Sequence, residues 1–106
     1  MKEQPNMSYL NSLSGGDEEF KNELLNVIKQ ELPDEIEEYQ ESLQESDFIK
    51  TAACVHKLKH KISIFGLEKS YHLASDYENQ LRLENQTLKD DFKEILDVMV
   101  AYVAKL

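Results

Sequence analysis

The sequence contains almost no cysteine, the residue that stabilises many small folds through disulfides or zinc sites. It has one cysteine, Cys54, so the chain offers neither a disulfide nor a thiol-based zinc site, and Cys54 is predicted to pack in the core. No apolar run approaches the roughly 18 residues of a membrane helix. The first residues also lack the apolar stretch of a secretion signal. These absences predict a cytoplasmic protein that depends on an apolar core.

Glycine and proline are also scarce, with three and two copies, and β-hairpin turn signals are missing. The chain has 106 residues, of which 41% are hydrophobic. That size suffices for one modest core and not for two. We therefore expect a flexible N-terminal tail at residues 1–7 and a single domain at residues 8–106.

Apolar residues recur at three- and four-residue steps along most of the chain, as is typical of amphipathic helices. Residues 8–14 are predicted to form a short helix before a glycine pair. Pro33 suits the first turn of a helix, so a new helix is expected to begin there. Gly66 is expected to end a helix of about 18 residues that begins near Asp47. The pattern predicts an all-α fold, an antiparallel up-down four-helix bundle with a short N-terminal lead-in helix.

Charge is distributed unevenly along the chain. Residues 17–47 hold twelve acidic and two basic side chains, whereas residues 48–73 hold five lysines and one glutamate. The basic segment 48–73 has too few positive charges to neutralise the many phosphates of a nucleic acid. It could instead attract the acidic surface of a partner protein. Three of its lysines, Lys50, Lys57 and Lys61, share one helix face and are predicted to be its solvated side.

His56 is predicted to lie on the long helix, next to the stripe of apolar residues that faces the core but not within that stripe. With about 100° of rotation per residue, the stripe contains Phe48, Thr51, Cys54, Val55, Leu58, Ile62 and Phe65. The neighbours of His56 are instead Ile49, Ala52, Ala53, Lys59, His60 and Ser63. Mostly small neighbours are expected to leave the imidazole exposed. Lys59 and His60, one helical turn away, can then bind an anion attached to it. This arrangement suits a surface nucleophile that carries phosphate.

The residues around His56 resemble the signature of histidine-phosphotransfer (HPt) domains, His-x-Leu-Lys-Gly with a second glycine six residues later. The matching residues are His56, Leu58, Lys59 and Gly66. The segment 13–20 is similar to the entry of the family's first helix, and Tyr77-Glu78 to an apolar-Glu pair that follows the site. One position departs from the signature: His60 stands where the family usually has glycine, which bears on the choice of partner.

The resemblance implies a phosphorelay intermediate. His56 would accept a phosphoryl group from the aspartate of one receiver domain and pass it to another. Lys59 would stabilise the phosphoryl oxygens, and Glu78 would orient the imidazole, although an ordinary surface carboxylate is an equally good interpretation of Glu78. A carrier of this kind is not a kinase, and the sequence has no nucleotide-binding glycine loop.

The resemblance also predicts the partners, which are receiver domains of response regulators, including those of hybrid histidine kinases. The receiver would bring Mg²⁺, since this chain has no carboxylate cluster near His56, and neither a cofactor nor a metal is expected here. We expect a monomer that docks through a surface around the histidine. Its predicted residues are Ile49, Ala52, Ala53, His60, Ser63 and Ile64.

Two other functions fit the same residues. The bundle could be an adaptor that binds a receiver or another partner without being phosphorylated. Alternatively, His56 and His60, four residues apart, could bind one metal ion with His72 or Glu78 as a distant third ligand. The metal is disfavoured because the flanking lysines at positions 57, 59 and 61 would repel a dication.

Overall fold

The computed structural model describes residues 3–106, which form five helices and contain no strand. In chain order they are α1 (Ser8–Ser14), α2 (Glu18–Gln44), α3 (Phe48–Ile64), α4 (Glu68–Leu81) and α5 (Lys89–Val103). The central helix α3 packs against α2 on one side and α4 on the other, and α5 packs on α4. The predicted all-α bundle with a short lead-in helix is thereby confirmed.

The helix α2 runs without a break through Pro33, so the predicted helix boundary at this residue is wrong. A proline inside a helix costs about 3 kcal/mol. The proline itself is exposed, while Leu32 beside it is 2% exposed and Tyr39 further along is 3% exposed. Burial of the apolar face of α2 offsets the local cost, and this tertiary effect keeps the helix continuous.

Local capping interactions set the starts of α2 and α3. The side chain of Asp17 accepts a hydrogen bond from the backbone N–H of Phe20, and that of Asp47 accepts one from Lys50, each at 3.1 Å. Both satisfy N–H groups that have no partner within the helix. Past the end of α3, Gly66 adopts a left-handed conformation with φ of 74°, as its position predicted.

The core forms along the predicted stripe of α3. Val55, Leu58, Ile62 and Phe65 are fully buried, and Cys54 is buried as expected. Helices α2, α4 and α5 add large side chains to the same core, among them Tyr39, Tyr77 and Phe92. The core holds α3 on both sides of position 56, because Val55 and Leu58 are fully buried.

The N-terminal residues contact the bundle at the turn between α3 and α4. The carboxylate of Glu3 accepts backbone hydrogen bonds from Lys69 and Ser70 at 2.8 Å, and the Asn6 N–H donates to the Phe65 carbonyl at 2.9 Å. The N-cap residue of α4 makes no side-chain hydrogen bond. Glu3 takes over that role, because its carboxylate accepts from N–H groups in the first turn of α4. Residues 3–7 of the tail predicted at residues 1–7 therefore include groups that bond to the bundle, and residues 1 and 2 lie outside the described part.

Within residues 3–106, no helix has both the length and the apolar character needed to span a bilayer.

Candidate functional site

His56 lies in the middle of α3, and its side chain is 52% exposed. Its neighbours Val55 and Leu58 are fully buried, so the backbone beneath the imidazole is fixed by the core. The structure therefore places this ring beside the apolar stripe and open to solvent, as the helical periodicity predicted.

Glu78 of α4 lies beneath the imidazole of His56 and forms hydrogen bonds with three side chains, one of which is that imidazole. Its Oε1 is 3.2 Å from Nδ1 of His56 and 3.0 Å from Nζ of Lys59. Its Oε2 accepts a hydrogen bond from Nη2 of Arg82 at 2.9 Å. Because the Glu78 side chain is only 9% exposed, the surface-carboxylate interpretation is wrong. We call His56, Lys59, Glu78 and Arg82 the Glu78 cluster.

The contacts of Glu78 determine its charge and, through it, the form of the imidazole. Burial alone would raise the pKa of Glu78, but the hydrogen bonds from Arg82, Lys59 and His56 outweigh burial and lower the pKa. Glu78 is therefore ionised at neutral pH and can only accept hydrogen bonds. A neutral His56 must then donate from Nδ1, which leaves the lone pair on Nε2.

Lys59 is held beside the imidazole and does not extend into solvent. Its side chain is 12% exposed, its Nζ bonds to Glu78, and the same Nζ lies 5.3 Å from the centre of the Tyr71 ring. A cation over an aromatic face is favourable. The ammonium is therefore fixed one turn from His56 by two groups of α4.

The residues predicted to dock a partner divide into two groups. Ile49 is 78% exposed, and Ala53, His60 and Ser63 are also exposed. Ala52 is fully buried, so its predicted contact with a partner is wrong. Ile64 was expected to lack packing partners, but it is half-buried against the core. The reason is that α3 packs against two helices, which makes its buried arc wider than a single stripe.

Ile64 and His60 instead line a surface groove between α3 and the first two helices. Apolar side chains supply most of the rest of its wall, including Tyr9 and Leu13 of α1 and Val27 of α2, each about half exposed. Nothing in their spacing associates these three residues with His56. Arg82 was also missed, although its spacing of four residues from Glu78 on one helix was a usable signal.

The lysines predicted to form the solvated face of α3 also divide. Lys50 and Lys57 are exposed, and Lys57 lies 3.4 Å from Glu38. Lys61 is buried instead, with its Nζ 3.1 Å from Glu31 and 2.9 Å from Glu35 of α2, so the prediction is wrong there. Burial would lower the pKa of Lys61, but the two carboxylates raise it. We call Lys61, Glu31 and Glu35 the Lys61 cluster.

The part of the chain that the structure describes has no group of three or more histidine, cysteine, aspartate or glutamate side chains arranged to hold a metal. The His56 and His60 rings lie edge to face, with centroids 5.1 Å apart.

The family model described as Hpt domain matches residues 23–105, which include all of α3, α4 and α5. No curated protein and no solved structure gives a significant match.

Proposed function

Because the chain belongs to the Hpt domain family, whose members carry phosphoryl groups on histidine and are not kinases, we propose that His56 is the phosphoacceptor of a phosphorelay. It takes the phosphoryl group from the aspartate of one receiver domain and passes it to the aspartate of another. The observation that carries this proposal is the exposed His56 ring whose Nδ1 is bonded to the buried, ionised Glu78.

The chemistry follows from the orientation of the ring. The Nε2 lone pair attacks the phosphorus of an aspartyl phosphate, an N–P bond forms, and the P–O bond to the aspartate breaks to release its carboxylate. The Nδ1 proton stays on the ring, which becomes positively charged, and the carboxylate of Glu78 stabilises that charge. Transfer to the second receiver reverses these steps, and Glu78 acts as a positioning residue throughout.

Lys59 stabilises the phosphoryl group in this mechanism. Its Nζ bonds to Glu78 and is already on the imidazole side of α3. A phosphoryl oxygen on Nε2 is a second anionic acceptor for the same ammonium. A hydrogen bond of this charged kind contributes about 1.5–3 kcal/mol.

The receiver docks on the exposed side chains around His56. Ala53 and Ser63 are small and exposed, so they leave room for the receiver's active-site loops. Ile49 supplies exposed apolar surface on one side, and the groove lined by Tyr9, Leu13 and Val27 supplies it on the other. The Mg²⁺ needed for transfer belongs to the receiver.

Phosphotransfer to His56 is tested by incubating the chain with a receiver that carries a ³²P-labelled aspartyl phosphate. We expect acid-labile label on the unmodified chain and none on His56→Gln. His72→Gln is the matched control, because His72 is also exposed on a helix and lies outside the Glu78 cluster.

Two results would contradict the proposal. Label that persists on His56→Gln would place the acceptor elsewhere. Receiver binding with no label on the unmodified chain would favour an adaptor that works without phosphorylation.

A further inference from the structure

The strongest unassigned feature is the pair of exposed histidines on one face of α3. His56 and His60 are four residues apart, and their ring centroids are separated by 5.1 Å. Two nitrogens bound to one Zn²⁺ are at most about 4.2 Å apart, since each Zn–N bond is about 2.1 Å long. The His60 side chain is exposed, and histidines four residues apart on one helix face have the spacing at which two imidazoles bind one Zn²⁺.

The environment of His56 matches that of a metal-binding imidazole. Metal-bound histidines usually donate the other ring N–H to a carboxylate, which fixes the ring and increases its basicity. Glu78 is in that position, 3.2 Å from Nδ1. The nitrogen left for a metal is Nε2, the same atom that would carry phosphate.

Carboxylates of α2 balance two of the three lysines beside the pair, whereas Lys59 shares Glu78 with Arg82. Lys57 pairs with Glu38, Lys59 with Glu78, and Lys61 with Glu31 and Glu35. The expectation that these lysines would repel a dication assumed that their charges were unpaired. The structure removes that objection for Lys57 and Lys61, and one positive charge of the Glu78 cluster stays unbalanced.

We propose that His56 and His60 together bind one borderline transition-metal cation, such as Zn²⁺, and that the bound metal blocks phosphorylation of His56. Water molecules complete the coordination, because the described residues supply no third ligand. Imidazole favours Zn²⁺ over Mg²⁺, so the magnesium of a receiver does not compete. The blocking effect rests on the proposed function, whereas metal binding does not.

Binding is tested first, by titrating the full chain with Zn²⁺ against a chromophoric zinc indicator. We expect one bound ion per chain. Both His56→Ala and His60→Ala should weaken binding by more than about ten-fold, because losing a ligand costs at least as much as losing an outer hydrogen-bond partner. His72→Ala, which removes an exposed histidine on α4, should leave the affinity unchanged. Equal affinity in His60→Ala and the unmodified chain would overturn the proposal.

Inhibition is tested next, as the ratio of phosphotransfer rates with and without Zn²⁺ for each variant. Zn²⁺ should slow transfer to the unmodified chain and EDTA should restore it, while the ratio for His60→Ala should stay near one. An equal slowing of both would place the zinc effect on the receiver and overturn the inhibitory role. Zinc binding that depends on His60 in a chain that never accepts phosphate would sink the proposed function and leave the metal site intact.

Discussion

Two lysine–glutamate clusters lie on different sides of α3, and only one of them includes a group that can react. In the Lys61 cluster a buried ammonium lies between the two carboxylates of α2. In the Glu78 cluster a buried carboxylate lies among three donors, two from α3 and one from Arg82 just past the end of α4. Both clusters contain lysine and glutamate, but the central charge is positive in the Lys61 cluster and negative in the Glu78 cluster.

That reversal explains why one cluster is structural and the other is proposed to be functional. The central ammonium of the Lys61 cluster donates hydrogen bonds to two glutamates, and the cluster contains no imidazole that could act as a nucleophile. A central glutamate can bind the inner nitrogen of an imidazole while the outer nitrogen stays in contact with solvent. The same helix therefore joins a stabilising contact on the α2 side to a reactive group on the α4 side.

The largest effect is expected from Lys61→Ala, which should lower the free energy of unfolding by about 3 kcal/mol, because it leaves Glu35 part-buried without its partner. Phosphotransfer at a temperature where the variant is folded should not change. Urea unfolding measures the first quantity, and Lys57→Ala is the control, since Lys57 is exposed. Equal losses in the two variants would show that burial of the Lys61 cluster does not matter.

Lys59→Ala should mainly slow phosphotransfer, whereas Lys61→Ala should mainly lower the free energy of unfolding. Loss of about 1.5–3 kcal/mol of phosphoryl stabilisation corresponds to transfer that is about ten- to a hundred-fold slower. Stopped-flow or quench-flow rates with a labelled receiver check this, and the acceptor should still be His56. If the rate is unaffected while stability falls, Lys59 belongs with Lys61 as a structural residue.

The pH dependence of stability should separate the clusters further. The lowered pKa of Glu78 means that its contribution is present above the ordinary glutamate pKa of 4.5 and is lost as pH falls through the lower folded value. The raised pKa of Lys61 means that its contribution is present below 10.5 and is lost as pH rises through the folded value.

Urea midpoints across pH test this difference. Glu78→Gln should flatten the profile only on the acid side, and Lys61→Met only on the alkaline side. A change on the same side in both variants would contradict the assignment of the two charges.

The smallest effect is expected at the rim of the Lys61 cluster. The Glu31 side chain is 55% exposed, so Glu31→Gln should change the free energy of unfolding by less than about 1 kcal/mol. Glu35→Gln should cost more, because that side chain is 18% exposed. Thermal melts of the two variants compare them directly, and the reverse order would be inconsistent with the burial seen here.

Features that depend on neighbouring residues in the chain could be predicted from the sequence. The start of α3 near Asp47, the buried stripe of α3 and the exposure of His56 all follow from short-range spacing. The continuity of α2 through Pro33 could not be predicted, because it depends on burial against other helices. Burial of Ala52 and Lys61 was missed for the same reason, since it requires knowing that α3 has a neighbour on each side.

The position of Glu78 shows how far spacing alone can go. The resemblance placed it after the site, but its pattern fitted both an orienting and a surface role. Only the packing of α4 on α3, which puts its carboxylate beneath the imidazole, distinguishes them. Arg82, just past the end of α4, donates the third hydrogen bond to Glu78.

The contacts of the N-terminal residues bear on where the folding unit begins. The family match starts at residue 23, yet Leu10 is 1% exposed and Glu3 caps α4. A shortened chain beginning at the match would uncover apolar surface and leave the first N–H groups of α4 without their acceptor. The segment recognised by sequence similarity is thus smaller than the segment that packs together, and any attempt to graft this relay module onto another protein must carry residues 3–22 with it.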